Sequence, residues 1–175
     1  MLNITDPLEM ALAYAGHGWA VFPLHTAVDG VCDCRKACSP LQAGKHPRTM
    51  DGFKSATTDP EKIAHWWGMW PTANIGIATG KVSGIVVVDI DPRNGGLDTV
   101  DAIREKVPLF LPETARVRTQ GGGWHLYYQY AAKRMKKAAG AGIDIKSDGG
   151  YVVAPPSVGA SGAYVWVVAG ELGTL

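Results

Sequence analysis

The sequence predicts an α+β fold, in which strands joined by hairpins outnumber about three helices. Many short β-rich runs are separated by Gly and Pro, and several alternate apolar with polar residues, as strands do. Residues 84–91 contain a continuous Ile/Val run, which indicates a strand buried on both faces. The chain has 175 residues, of which 46% are hydrophobic, so we expect one domain with a substantial core.

The three helices are predicted from capping signals and apolar periodicity. Asp6-Pro7 and Asp59-Pro60 are each typical of a helix start, with Asp as the N-cap and Pro as the first helical residue. Asp98 is predicted to cap the third helix, whose inward residues are Val100, Ile103 and Val107. The second helix has an aromatic face, interpreted as core rather than as a base-stacking surface, that comprises Ile63, Trp66, Trp67 and Trp70.

The other β-rich segments are expected to be short strands. They lie at residues 19–24, 73–78, 116–119, 124–130, 142–146, 151–154 and 164–168. A hairpin-type turn is predicted at residues 80–84, leading into the 84–91 strand. Two basic clusters are expected either to contact phosphates or to be solvated loops, namely Lys133, Arg134, Lys136 and Lys137, and Arg35, Lys36, Lys45 and Arg48.

Composition and charge exclude some classes of protein. The formal net charge is +1, which argues neither for nor against nucleic acid as a partner. There is no run of about 18 apolar residues and no basic leader, so we expect neither a membrane span nor a secretory signal. All three cysteines lie within seven residues, which favours a metal site in the reducing cytoplasm over disulfides.

Three aspartates are candidate ligands for divalent cations. Asp89 and Asp91 end the 84–91 strand on the same face, because side chains alternate along a strand. Asp144 lies between two isoleucines in a short predicted strand. Carboxylates in apolar surroundings are usually paired or metal-bound, and these three could hold two Mg²⁺ or Mn²⁺ ions. The alternative is that they are strand-end aspartates that cap loops.

A glycine-rich segment is a candidate phosphate-binding loop. Gly122 and Gly123 belong to a run of three glycines, whose backbone N–H groups can approach a phosphate closely. His125, on the next strand, can donate to a phosphate oxygen, and Arg116 or Arg118 can assist. The alternative is a flexible hairpin with a surface histidine.

The loop at about residues 30–48 is interpreted as a zinc-binding insert in the domain. Three cysteines and one histidine follow the pattern Cys32-x-Cys34-x3-Cys38-x7-His46. Four such ligands can close a tetrahedral zinc site and order a loop that has no core of its own. His25 is an alternative fourth ligand. Free thiols with an unrelated histidine are the alternative to a metal site.

Taken together, these segments resemble the bifunctional DNA primase/polymerase (Prim-Pol) domain of the archaeo-eukaryotic primase superfamily, which occurs in phage, plasmid and prokaryotic replication proteins. The resemblance extends over nearly the whole chain. The matching segments, in order, are Gly18 to Leu24, Gly44-Lys-His-Pro47, Gly52 to Thr57, Trp66-Trp67, Ala73 to Gly80, Val86 to Asp91, Thr119 to His125, Gly142 to Lys146 and Gly150 to Ser157.

The resemblance implies a role for several residues. The metal-binding carboxylates of the family match Asp89, Asp91 and Asp144. The histidine that binds the phosphates of the incoming nucleotide matches His125, and Gly123 is the small residue of that motif. The implied fold is primase-like, with an N-terminal α/β unit, a C-terminal RRM-like unit and the active site in the cleft between them.

This sequence departs from the family pattern at two positions next to the histidine. Gly121 stands where Ser is common, and Trp124 where a basic residue is common. A hydroxyl and a charge are therefore missing from the expected triphosphate contacts. Arg118 or Lys146 is expected to compensate.

The function implied by the resemblance is template-directed nucleotidyl transfer, as a DNA primase and DNA polymerase. The expected partners are a single-stranded DNA template, a primer and dNTPs or NTPs, with a helicase domain in the same parent chain. The expected location is the cytoplasm of a prokaryotic cell or a phage-infected host. Two alternatives are a metal-dependent nuclease or phosphodiesterase and a non-catalytic, zinc-bearing DNA-binding module.

Overall fold

The computed structural model describes residues 5–34, 38–108, 110–132 and 138–174 and has the mixed helix-and-sheet architecture expected of an α+β protein. Its helices are α1 (Pro7–Gly16), α2 (Pro60–Met69) and α3 (Gly96–Arg104). The first two predicted caps are confirmed: the Asp6 carboxylate accepts from Glu9 N–H (2.9 Å) and that of Asp59 from Glu61 N–H (3.0 Å).

The predicted start of the third helix is wrong. Gly95, not Asp98, is the N-cap of α3, and Asp98 lies in the first turn. Gly95 has a φ of 78°, a left-handed conformation that glycine adopts at little cost, so the chain reverses there and the helix begins earlier. Val100 faces the core as expected, whereas Val107 lies beyond the helix and is 52% exposed.

Within the described part of the chain, the strands form two main antiparallel sheets and two small hairpins. They are β1 (Val21–Leu24), β2 (Ala27–Val28), β3 (Val31–Cys32), β4 (Asn74–Ala78), β5 (Ile85–Ile90), β6 (Arg116–Arg118), β7 (Trp124–Gln129), β8 (Ala138–Gly140), β9 (Ile143–Lys146), β10 (Tyr151–Ala154), β11 (Val158–Gly159), β12 (Gly162–Ala163) and β13 (Val165–Val168). The large sheet has the order β13-β6-β7-β5-β9-β8, and the small one β1-β4-β10. The hairpins are β2-β3 and β11-β12.

The Ile/Val run is the centre of the large sheet, as its apolar composition predicts. β5 pairs with β7 on one side and with β9 on the other. On one face, Val87 and Tyr127 pack into the main core, which also contains the small sheet and α2. On the other, Val88 and Ile90 pack with Val100 of α3 in a second cluster. Both faces of β5 are therefore buried until the strand reaches its aspartates.

The aromatic face of α2 is core, as predicted, and its last member, Trp70, is partly buried at the C-cap. Ile63, Trp66 and Trp67 are all less than 10% exposed, and Trp67 also donates its indole N–H to the carbonyl of Ala73 (3.1 Å). This buried indole is satisfied within the fold, so it is not a free stacking surface for nucleobases.

The turn at residues 80–84 forms, but it does not join neighbouring strands of one sheet. It leads from β4 of the small sheet to β5 of the large one. The side chain of Asp148 accepts from the N–H of Lys81 (2.9 Å) and from the hydroxyl of Tyr130 (2.7 Å), which ties this turn to the large sheet. The corner between the sheets is thereby fixed.

Some sequence predictions fall on residues outside the described ranges. Arg35 and Lys36 of one basic cluster, and Lys133, Arg134, Lys136 and Lys137 of the other, lie there. Of the described helices, none is long and apolar enough to cross a membrane.

Candidate active site and metal centre

The centre of the candidate site is one row of paired residues across the large sheet. Asp89 of β5 lies directly opposite His125 of β7 on one side and Asp144 of β9 on the other. Residues opposite each other in adjacent strands project from the same face, so these three side chains are neighbours. The structure thus brings together an acid, an imidazole and a second acid that are 55 residues apart at the extremes.

His125 is the most enclosed member of this row, being only 5% exposed. Its Nε2 lies 3.7 Å from Asp89 Oδ1, and its Nδ1 is buried without a hydrogen-bond partner. Burial lowers the pKa of His125, and the negative charge of Asp89 acts in the opposite direction. His125 is therefore a neutral imidazole at neutral pH, able to donate one hydrogen bond and accept another. The predicted alternative of a surface histidine does not fit this burial.

Asp91 lies just past β5, and its carboxylate is held by two neighbours. Arg93 approaches with Nε 3.0 Å from Oδ1 and with Nη2 3.0 Å from Oδ2. The backbone N–H of Arg93 and the side chain of Asn94 each add a hydrogen bond of 3.0 Å. These bonds, above all those from the Arg93 side chain, hold the pKa of Asp91 below its ordinary value.

Two lysines complete the charges of the site. The Lys146 ammonium lies 2.9 Å from Asp144 Oδ2, so this residue, for which a nucleotide contact was predicted, lies beside the row. Lys45 was predicted only as a member of a basic cluster that either contacts phosphates or forms a solvated loop, and it also belongs to the Gly44-Lys-His-Pro47 segment. Burial and the nearby Arg93 lower the pKa of Lys45, while Asp89 and Asp91 act in the opposite direction.

The backbone at Lys45 is anchored to the small sheet. Tyr151 of β10 donates its hydroxyl to the carbonyl of Lys45 (3.0 Å), and Asn74 of β4 donates its amide to the carbonyl of Gly44 (3.0 Å). No spacing in the sequence could show this anchoring, because the donors lie 30 and 106 residues away.

The three carboxylates offer the oxygen ligands that Mg²⁺ and Mn²⁺ prefer. Their oxygen atoms lie farther apart than the ligand atoms around a bound metal ion. Among the described residues, they do not form a group with all ligand atoms within 4.8 Å of one another. The reason is visible in their partners: Arg93 holds Asp91, and Lys146 holds Asp144. The three carboxylates are the right type of ligand for a divalent ion, and binding it requires the side chains of Arg93 and Lys146 to move away.

The glycine loop does not offer the phosphate cradle that was predicted for Gly122 and Gly123. The N–H of Gly122 donates to the carbonyl of Thr119 (3.0 Å), and that of Gly123 to Thr119 Oγ1 (3.1 Å). Both donors are therefore used within the turn. Gly123 is required for a different reason, since a Cβ there would lie 2.2 Å from the carbonyl oxygen of Ile90.

Arg118 also lies away from the row. It pairs in register with Trp124, and its guanidinium carbon lies 5.3 Å from the centre of the Trp124 ring. Successive residues of β7 face opposite sides of the sheet, so Arg118 is on the face opposite His125. The structure does not bring this predicted nucleotide contact to the site.

The cysteine loop contains a compact cluster of metal-ligating side chains. The ligand atoms of Cys32, Cys34, Cys38 and His46 lie within 4.8 Å of one another. Cys34 Sγ is 3.8 Å from Cys38 Sγ and 3.9 Å from His46 Nε2. This set, here called the Cys/His cluster, could hold a metal ion, and its composition is that of a tetrahedral structural zinc site.

The alternative ligand His25 is engaged elsewhere. Its Nδ1 lies 2.7 Å from Asp33 Oδ1, and Asp33 also accepts from Arg48 and from the hydroxyl of Thr26. This polar network supports the loop beside the Cys/His cluster without entering it.

The fold and these two sites define an α+β protein with an acid-and-imidazole row on a central sheet and a separate Cys/His cluster. The chain belongs to the Prim-Pol family: the model of the bifunctional DNA primase/polymerase, N-terminal domain matches residues 11–175. A comparison with curated proteins gives no match. Membership of the family implies a nucleotidyltransferase-type enzyme that acts in DNA replication on DNA and nucleotides.

Proposed function

We propose that this domain transfers nucleotides to the 3′ end of a primer on a single-stranded DNA template, and that it also makes the primer. The observation that carries the proposal is the row in which Asp89 has His125 on one side and Asp144 on the other. A row of acids beside a buried imidazole meets the needs of phosphoryl transfer, which are positioning and charge stabilisation.

In this proposal, Asp89, Asp91 and Asp144 are the ligands of divalent ions. When bound, Mg²⁺ or Mn²⁺ would supply Lewis-acid stabilisation of the attacking and leaving oxygens. The carboxylates supply the negative charge that attracts such ions. The small sheet and the large sheet correspond, we infer, to the N-terminal unit and the RRM-like unit of a primase-like fold.

The basic and neutral donors of the site are assigned to the triphosphate. His125 is buried and neutral, so it can donate to a phosphate oxygen without adding a charge. Lys45 and Lys146 flank the acids and offer charge to the remaining oxygens. The 3′ hydroxyl attacks the α-phosphorus and loses its proton to solvent, the bond between that phosphorus and the α–β bridging oxygen breaks, and pyrophosphate leaves.

The Cys/His cluster is assigned to a structural zinc ion. Four ligands close a tetrahedral site with no open position for a substrate, so we expect it to order its loop rather than to catalyse. The loop leads directly into Lys45 and His46, so a metal here would also fix the position of Lys45.

A helicase domain in the parent protein would supply the single-stranded template, and the enzyme would act in the cytoplasm.

The test is incorporation of labelled dNTP on a primed template with Mn²⁺ or Mg²⁺, followed by synthesis on an unprimed template. The double variant Asp89→Asn with Asp91→Asn should lose incorporation by at least about 10³-fold. A matched control is Asp101→Asn with Glu105→Gln at the exposed end of α3, which should retain wild-type rates.

The same reactions separate the alternatives. Longer products support the polymerase, whereas shortened primers would identify a nuclease that uses the same carboxylates. Template binding that survives loss of the aspartates, without any product, would identify a non-catalytic DNA-binding module. Undiminished extension by the aspartate variant would refute the assigned site.

A further inference from the structure

Arg93 occupies the carboxylate that a divalent ion needs. Both oxygens of Asp91 are already used, Oδ1 by the N–H and Nε of Arg93 and Oδ2 by Nη2 of Arg93 and Nδ2 of Asn94. A bidentate guanidinium and a metal ion compete for the same lone pairs, because each requires direct contact with the carboxylate oxygens. Metal binding through Asp91 therefore requires the Arg93 side chain to move.

The surroundings of Arg93 allow that movement. Its side chain is 45% exposed, and its guanidinium lies along Gly121, where a Cβ would come within 3.2 Å of Cζ. No apolar packing holds the guanidinium among the contacts described for it. After release it remains next to the row of acids, since it lies near enough to Asp89 to be stabilised by that negative charge.

The charges of the site indicate where the released guanidinium goes. Among the residues that the structure describes, three carboxylates, Asp89, Asp91 and Asp144, are matched by three basic side chains, Lys45, Arg93 and Lys146. The local formal charge is thus zero without metal, so divalent ions alone would leave uncompensated positive charge. A nucleoside triphosphate carries a charge of about −4, which matches two divalent ions and gives a free guanidinium a bidentate partner.

We propose that Arg93 couples metal binding to nucleotide binding: it neutralises Asp91 in the empty site and moves to the triphosphate when a divalent ion takes its place. This inference rests on the proposed function and adds a nucleotide-binding residue to it. It predicts that the Arg93 side chain has two effects of opposite sign on binding. Arg93 must weaken the binding of metal alone and must strengthen the binding of nucleotide.

The test measures Mn²⁺ binding by electron paramagnetic resonance on zinc-saturated protein, without nucleotide. Arg93→Met keeps the aliphatic stem and removes the guanidinium. We expect it to bind Mn²⁺ about two- to five-fold more tightly, as removal of one half-exposed ion pair implies. In saturating Mn²⁺, its affinity for a dNTP with a non-hydrolysable α–β bridge should fall by about ten-fold, measured by calorimetry.

Arg118→Met is the matched control, because Arg118 lies on the opposite face of the sheet, and both constants should stay unchanged in it. Arg93→Lys is a second variant that keeps the charge but loses the bidentate geometry, and it should lie between wild type and Arg93→Met in both constants. Any other combination in Arg93→Met, such as unchanged Mn²⁺ affinity or unchanged nucleotide affinity, would overturn the coupling.

Failure of this inference is distinguishable from failure of the proposed function. The double variant Asp89→Asn with Asp91→Asn should abolish the same Mn²⁺ binding. If that variant binds Mn²⁺ like wild type, the acids are not the metal site and the proposed function fails. If it loses Mn²⁺ binding but Arg93→Met behaves like wild type, only the coupling by Arg93 is overturned, and the proposed function stands.

Discussion

Asn74 holds together the part of the molecule that presents Lys45 to the acids, so its removal gives a sharp test of the architecture. Its amide nitrogen donates to the carbonyls of Gly44 (3.0 Å) and Val158 (2.7 Å), and its Oδ1 accepts from the N–H of Val158 (3.0 Å). The side chain is 5% exposed, so water cannot easily replace it.

The cost of Asn74→Ala follows from these three bonds. Each leaves a backbone group unsatisfied, one buried and two partly buried, at about 1 kcal/mol, so the free energy of unfolding should fall by about 3 kcal/mol. For a chain of this length, that corresponds to a decrease in Tm of about 6–12 °C. Since Gly44 precedes Lys45, the KM for nucleotide should also rise, by about ten-fold if Lys45 contacts the triphosphate.

Urea denaturation followed by tryptophan fluorescence measures the first effect, with the slope m expected to stay unchanged. Gln129→Ala is the control, because this exposed amide makes one long hydrogen bond (3.3 Å) and should change stability by less than about 0.5 kcal/mol. A loss below about 1 kcal/mol in Asn74→Ala would show that the three bonds do not stabilise the fold as argued.

Three further predictions concern the two sites. Cys34→Ser should lower bound zinc well below one ion per chain in elemental analysis, whereas His25→Ala should retain it; equal zinc in both would contradict the assigned ligands. Gly123→Ala should lower Tm and slow incorporation by about ten-fold or more, because its Cβ would collide with the Ile90 carbonyl, and wild-type behaviour would refute that contact. Burial lowers the pKa of His125, so the unfolded chain binds a proton at higher pH than the folded chain. The contribution of the neutral His125 to stability is complete above about pH 6.5 and is lost as the pH falls from there through the folded pKa. Urea denaturation at pH 7.5 and 5.5 should therefore show a larger loss in the free energy of unfolding for wild type than for His125→Gln. Equal losses in the two proteins would contradict this contribution of His125.

Local patterns in the sequence predict local structure well in this chain. Asp6 and Asp59 cap helices because the Asp-Pro signal depends on only a few adjacent residues. The third cap was wrong because Gly95, which looks like a loop residue, supplies a left-handed turn that starts α3 earlier. Helix boundaries depend on such backbone details, which the apolar period alone does not reveal.

The candidate site was predictable in its residues but not in its contacts. Alternation along the strands indicates which residues face together, but the pairing of β5 with β7 and β9 is a long-range event. The same limit explains why Arg93 was missed and why Lys45 was predicted only as one residue of a basic cluster. The sequence contained a signal for Arg93, because a basic side chain two positions after a strand-end aspartate can fold back and bind that carboxylate. Thr119, whose hydroxyl and carbonyl use the N–H groups of the glycine loop, was also readable as a turn residue.

The role of the row is tested by the rate of single-nucleotide incorporation by Asp144→Asn, compared with wild type, on a primed template in Mn²⁺. Asp144 enters the site only through the pairing of β9 with β5, so its effect reports on the row itself. We expect a loss of at least about 10²-fold, with Tm little changed because this side chain is largely exposed. Incorporation within two-fold of wild type would contradict the claim that the row beside Asp89 carries the chemistry.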